Sequence, residues 1–155
     1  MQQSNQQGNQ DAVVSALLSI AEAVLDRNQQ SLYSVTGNMN SLSVTTAYQN
    51  AASITLPVVS AAHKYLIIAN FQYTHAGGAA TRDYTCAIRN GTSALKTISD
   101  TAIAGDFVHE LSASHILTSS STGGETINLS ILRSTDNGGT LSSASHYSII
   151  DLGVA

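Results

Sequence analysis

From about residue 31 onward, apolar and polar side chains alternate in short segments that are separated by Gly, Asn and Ser turns. Successive side chains of an extended strand point to opposite faces, so this period of two is typical of antiparallel strands buried on one face. Many short strands without intervening helices predict an all-β sandwich or jelly roll of about eight to ten antiparallel strands. The predicted strands are residues 31–36, 41–48, 53–59, 64–75, 82–89, 93–99, 107–118, 125–134 and 144–152.

The stretch KYLIIANFQYT, which begins at Lys64, differs from the other predicted strands because both of its faces begin apolar. One face stays apolar throughout, whereas the other changes from Leu66 and Ile68 to polar residues. One face must fill the core of its own sandwich, and the apolar part of the other requires a further partner, for which another subunit is the simplest choice. The alternation does not decide which face is which. The candidates for the core or for a trimer interface are Tyr65, Leu66, Ile67, Ile68, Phe71, Tyr73, Ile127, Leu129 and Ile131.

Gly, Asn and Pro residues predict two turns and one edge strand. Asn90-Gly91 and Asn137-Gly138-Gly139 are typical turn sequences, because Asn and Gly tolerate a positive φ. Pro57 is the only proline and cannot donate a backbone hydrogen bond, which places its predicted strand at the edge of a sheet.

The first 28 residues follow a different pattern from the body, which we place at residues 29–155. Residues 1–10 form a Gln- and Asn-rich arm with almost no apolar side chains, so the arm cannot recover its ordering entropy by burying itself. Residues 11–28 predict an amphipathic helix that begins with Asp11 as N-cap. Its anchor residues, which share the spacing of a coiled-coil seam, are Val13, Leu17, Ile20 and Val24.

The helix has two possible partners at this point. A second apolar stripe, which includes Val14 and Leu18, lies beside the seam and suits a three-helix bundle better than a pair. Alternatively, the helix lies against its own domain.

The composition excludes several classes of function. Charged residues make up 10% of the chain and the formal net charge is −4, so the basic stripe that nucleic-acid binding requires is missing. No membrane-spanning segment or secretory signal is predicted. A weakly charged surface rich in Ser and Thr suits a subunit of an assembly better than a monomer, since monomers depend on surface charge for solubility.

The sequence predicts no enzyme, no metal site and no cofactor. His109 and His115 share a strand face but stand about 20 Å apart, so one metal ion cannot bind both. We expect both to be packed imidazoles with hydrogen-bond partners. Cys86 lies on the apolar face of its strand and is expected to be a small core residue. The aspartates, Asp151 included, are expected at strand ends, bonded to the backbone.

Four segments together resemble the C1q and tumour necrosis factor-like jelly roll. They are KYLIIANFQYT, the strand that ends in IRNGTSALK, TGGETINLSILRS and SASHYSIIDLGVA, and the likeness covers roughly residues 41 to 152. The chain departs from the family pattern at His63, where Gly is usual, and at Glu125, where Asp is usual. Members of this family are compact trimers, so the resemblance implies a homotrimer.

Similar domains preceded by a polar arm and a helix occur in tailed bacteriophages, which gives two functional hypotheses. The first is a capsid decoration (cement) protein on the outside of the virion, anchored to the major capsid protein by its arm and helix. The second is a receptor-binding fibre or tail-tip domain that recognises a host glycan or protein through residues 76–82, 119–124 and 136–143. A soluble cellular jelly-roll module is the third reading.

Overall fold

The computed structural model describes residues 14–20, 33–59, 61–75, 82–102, 108–120, 124–134 and 138–155. The chain divides into two units, Met1–Leu32 and Tyr33–Ala155. In the first unit, residues 14–20 are helical and all seven side chains are exposed. The predicted arm, the rest of the predicted helix and the anchor residues Val13 and Val24 lie outside the described residues.

The second unit consists of antiparallel strands and confirms the predicted all-β class. In its described residues the strands, numbered β1 to β10, are Ser34–Asn38, Leu42–Ser43, Gln49–Thr55, His63–Thr74, Arg82–Asn90, Ser93–Ala102, Val108–Thr118, Thr126–Arg133, Thr140–Leu141 and His146–Val154.

The strands form two sheets. In the larger sheet β10 lies between β1 and β4, and β7 pairs with the other edge of β4. The two-residue strands β9 and β2 continue this sheet beside the end of β4. The smaller sheet has the order β3-β8-β5-β6. Strands that are distant in sequence are therefore neighbours, as in a jelly roll.

The core between the sheets decides the orientation of β4. The side chains of Tyr65, Ile67, Phe71 and Tyr73 are fully buried in it. Their alternation partners Leu66 and Ile68 point to the opposite face, where Leu66 is half-buried and Ile68 is exposed. The smaller sheet contributes its own apolar face to the same core, namely Ile127, Leu129 and Ile131, together with Cys86 and Ile88 from β5.

Two predicted strands differ from the structure. The strand predicted at residues 53–59 is β3, Gln49–Thr55, which lies at the edge of its sheet as expected but ends before Pro57. A bulge between Asn50 and Ala52 breaks the alternation at its start, which explains the displaced prediction. Of the strand predicted at residues 41–48, only β2 is extended and paired.

The turn predicted at Asn90-Gly91 is confirmed. Asn90 pairs with Ser93 across a two-residue hairpin between β5 and β6, and Gly91 has a φ of 56°. A residue with a Cβ reaches this left-handed conformation only at a cost, which is why Gly suits the position.

Candidate functional site

The outward side of β1, β10, β4 and β7, which we call the open face, carries the apolar side chains that the core leaves out. Leu66 pairs with Ile150 on one side and with Ile116 on the other, so three apolar side chains stand in one row across the sheet. Ile68 follows in the next row along β4, and Leu152 continues the outward side of β10. We call Leu66, Ile68, Ile116, Ile150 and Leu152 the apolar patch.

The apolar patch is accessible in the single chain. Ile116 is 57% exposed, Leu152 49% and Ile68 40%. Burying one such side chain completely stabilises a protein by about 1.5–3 kcal/mol relative to leaving it in water. A contiguous group of them on one face is typical of a protein–protein contact.

The other half of the open face is polar and almost uncharged. Its central row contains Asn38, His146, Asn70 and Ser112, in the order of the strands. In the row beyond, Gln72 Nε2 donates to Glu110 Oε1 over 3.0 Å. The open face thus combines an apolar half with a hydrogen-bonding half, which is the usual composition of an interface between proteins.

The outward side of the smaller sheet has a different character, because its polar side chains pair with each other. Ser53 Oγ donates to Asn128 Oδ1 over 2.7 Å, and Ser130 Oγ donates to the amide oxygen of Asn50 over 2.8 Å. Thr101 Oγ1 donates to Asp83 Oδ1 over 2.6 Å. Asn128 and Ser130 are themselves buried, and polar groups that already have partners gain little from a further contact. The open face is therefore the better candidate for an interaction surface.

A buried ion pair between His63 and Asp151 joins the start of β4 to the end of β10. His63 Nδ1 lies 2.8 Å from Asp151 Oδ2 and 3.0 Å from Oδ1, and both residues are buried. The amide of Gly153 donates to Asp151 Oδ1 over 2.7 Å, within the bulge that ends β10. The prediction that Asp151 lies near a strand end and bonds the backbone is confirmed by its bond to the Gly153 amide, but the buried contact with His63 was not predicted. Asp151 shares its alternation with Tyr147 and Ile149, and this signal in the sequence could have placed it inward.

The opposite end of the sandwich contains a stack of aromatic rings. Tyr73 lies between Tyr84 and His109, with ring centroids 4.3 Å and 5.4 Å away. The Tyr73 hydroxyl donates to Asp100 Oδ2 over 3.0 Å, and His109 Nδ1 lies 3.5 Å from the same oxygen. Burial raises the pKa of Tyr73, and the hydrogen bond to Asp100 raises it further. His109 is thus packed against Tyr73 as predicted, but the predicted hydrogen-bond partners are not all present, because its Nε2 is buried with no hydrogen-bond partner among the described residues.

Cys86 is a core residue, as its position on the apolar face of β5 predicts. Cys86 is fully buried, and burial raises the pKa of its thiol, so the nucleophilic thiolate is disfavoured. Within the described part of the chain, no three His, Cys, Asp or Glu side chains lie close enough together to hold a metal ion. No helix among the described residues is long and apolar enough to cross a membrane.

Comparison with known proteins gives structural matches only. No family model matches the chain, and neither does any curated protein sequence. Among solved structures, Eiger TNF from S. frugiperda aligns with a TM-score of 0.54 at 12% identity, over 80% of this chain and 94% of that one. Murine APRIL aligns with a TM-score of 0.39 at 10% identity, over 77% of this chain and 100% of its own. The structure of infectious bursal disease virus, Gt strain, aligns with a TM-score of 0.49 at 8% identity, over 78% of this chain and 32% of the viral chain.

The match to Eiger TNF agrees with the strand order of the two sheets. The chain therefore has the TNF-like jelly-roll fold that its sequence resembles. An identity of 12% establishes the fold alone, so the function has to be argued from the surfaces of this chain.

Proposed function

We propose that the protein is a homotrimeric structural protein of a virion, which binds the outside of a tailed-phage capsid as a decoration (cement) protein and stabilises it. The observation that carries the proposal is the apolar patch, since it leaves the single chain with apolar β-surface that its own core does not use. The C1q-like resemblance of the sequence supports the same assignment.

The apolar patch supports a closed assembly of identical chains. Ile116 lies on β7, at one edge of the larger sheet, and Ile150 lies two strands away on β10. Three copies around an axis can cover each other's apolar patches, and a closed ring leaves none of them exposed. The burial of several Leu and Ile side chains per copy offsets the entropy that association costs.

The N-terminal unit supplies an anchor to the major capsid protein. In its described helix, Leu17 and Ile20 are each 60% exposed, as the seam pattern predicts for a helix that meets a partner. A docked arm loses conformational entropy, but it can cover a wide surface through its amide groups. A protein that binds the assembled shell, and not its separated subunits, raises the stability of the shell by mass action.

The receptor-binding alternative has less support in this chain. Sugar recognition commonly uses exposed aromatic rings, because they stack on the apolar faces of the sugar. Residues 76–82, 119–124 and 136–143, which would form the recognition loops, contain no Tyr, Phe or Trp.

The copy number in purified virions tests the proposal directly. A decoration protein is present in hundreds of copies per particle, and quantitative mass spectrometry against the major capsid protein should give such a number. A handful of copies would contradict decoration and favour the fibre reading. Mass photometry of the isolated protein should give a trimer of the 16.1 kDa chain, and a stable monomer would contradict the assembly.

Deletion of residues 1–10 tests the anchor. We expect virions with the truncated protein to lose it on heating at lower temperature than virions with the full chain, because part of the contact with the shell is gone. Release at an unchanged temperature would show that the arm is not an anchor.

A further inference from the structure

One end of the sandwich brings together the attachment of the N-terminal unit and several loops. We call it the chain-end pole; it comprises the described residues among 33, 56–64, 90–92, 118–125 and 153–155. Backbone hydrogen bonds of 2.8 or 2.9 Å connect its segments: Ala155 to Ala62, Ser119 to His63, Leu56 to Glu125, Gly91 to Thr126, and Asp151 to Tyr33.

The chain-end pole presents apolar side chains that the core does not contain. Val58, in the connection between β3 and β4, is 77% exposed and is the most exposed large apolar side chain in the described part of the chain. Val154, at the end of β10, is 57% exposed. Val154 pairs with His63, the first residue of β4, and Val58 lies in the connection that leads into this strand, 3.9 Å from the position that a Cβ on Gly124 would occupy. These two valines lie at the end of the sandwich, whereas the apolar patch lies on its side.

The carboxylates near this pole have partners within their own chain. Asp151 is paired with His63, and Glu125 Oε1 accepts from the amide of Ser120 over 3.2 Å. Lys64 is the only exposed charged side chain among the described residues of the pole. The pole therefore suits a partner protein with an apolar surface and an acidic group opposite Lys64. Because the pole carries little exposed charge, electrostatic repulsion between the two surfaces is small.

The course of the chain indicates which partner meets this pole. Residues 1–32 join the body at Tyr33, whose carbonyl accepts from the amide of Asp151 at the pole. Any surface that binds the N-terminal unit is therefore linked through the chain to the body at the pole, which makes a second contact between that surface and the body nearly intramolecular.

We propose that the chain-end pole is a second docking surface on the same capsid protein that holds the N-terminal unit, with Val58 and Val154 as its contact residues. This inference rests on the proposed decoration function. It adds that the body of the protein contacts the shell directly through the chain-end pole, so that the N-terminal unit is not the only contact.

Binding of purified protein to DNA-filled heads of the encoding phage, prepared with this gene deleted, tests the inference. The variants are Val58→Asp and Val154→Asp, each of which places a charge at the pole. The matched control is Ala144→Asp, which adds the same charge to an exposed turn at the opposite end of the sandwich. Circular dichroism and mass photometry select variants that keep the fold and the assembly state of the wild-type protein.

We expect each pole variant to weaken binding to the heads at least tenfold, and the control to stay within about twofold of wild type. If wild type and all variants bind alike, the pole is not a docking surface, while decoration itself stands. If the control weakens binding as much as the pole variants, the effect is one of net charge and the inference also fails. If the wild-type protein does not bind the heads, the proposed function fails, and the inference fails with it.

Discussion

Cys86 and Tyr73 are core residues that keep their protons, because burial penalises the charged form of each. Burial raises the pKa of both Cys86 and Tyr73. In an unfolded chain these groups ionise at about 8.5 and about 10. The folded state thus binds their protons more tightly than the unfolded state does.

The first prediction is a loss of stability at alkaline pH. A group whose folded pKa is raised contributes its full stability below the unfolded pKa and loses it as the pH rises above that value. The free energy of unfolding should therefore be level from pH 7 to about 8 and fall above about pH 9. Urea midpoints across this range measure it, and Cys86→Ala should reduce the part of the fall that begins near pH 8.5. A midpoint that rises with pH would contradict the prediction.

The second prediction concerns the ion pair of His63 and Asp151. Asp151→Ala removes the partner of a buried imidazole and of the Gly153 amide, and should lower the free energy of unfolding by about 1–3 kcal/mol. The control is Asp83→Ala, because Asp83 is exposed and its bond to Thr101 lies at the surface; its effect should stay within about 0.5 kcal/mol. If both variants lower the free energy of unfolding in urea by the same amount, the buried pair contributes no more to stability than the surface bond does.

The residues of the candidate site could be predicted only in part from the sequence. The alternation showed that β4 has more apolar side chains than one face can hold, but it did not decide whether Leu66 and Ile68 or the opposite face would be surplus. The sequence did not single out Ile116, Ile150 and Leu152, because each lies in a strand whose apolar residues could equally have belonged to the core. Their role depends on the register of β7 and β10 with β4, which no local pattern contains.

At the scale of single elements, hairpins and strand ends depend on backbone conformation. Gly91 adopts a φ of 56°, and a Cβ at this position would meet no other atom within 4 Å. The requirement for glycine there comes from the backbone and not from packing.

The third prediction is that Gly91→Ala costs about 1–2 kcal/mol, the penalty for an L-residue in the left-handed region. Gly91→Asn should cost less, because Asn visits this region more readily. Thermal unfolding of the two variants beside wild type measures the order. If Asn destabilises as much as Ala, the backbone explanation is wrong.

The long strands were predicted better than the short ones because a period of two needs several residues to be visible. β4, β5, β7 and β8 were placed within a residue or two of their observed bounds. The strand β9 was missed since two residues carry no period, and it forms only because β4 and β2 are there to pair with it.

At the scale of the whole molecule, the distribution of polar and apolar surface separates two sides of the sandwich. The smaller sheet presents side chains that bond to each other, whereas the larger sheet presents the apolar patch. The fold class could be predicted from the alternation of apolar and polar residues. The interacting side could not, because alternation does not show which of the two faces of a strand points to the core.

The fourth prediction is that Ile116→Glu converts the proposed trimer into monomers, because it places a charge in the apolar patch. Mass photometry at nanomolar concentration should show the change. The control is Thr97→Glu, on the outward side of β6 in the smaller sheet, which should leave the trimer intact. A trimer that survives Ile116→Glu, or dissociates with Thr97→Glu, would place the contact elsewhere.

The position of β10 has a consequence for biosynthesis. β10 is the last strand of the sequence, yet it lies inside the larger sheet, between β1 and β4. Until the ribosome has translated β10, the strand β1 has no partner through which it could join the larger sheet. The open face therefore forms only after β10 has been synthesised, and a chain that stops before His146 lacks the part of the apolar patch that Ile150 and Leu152 supply.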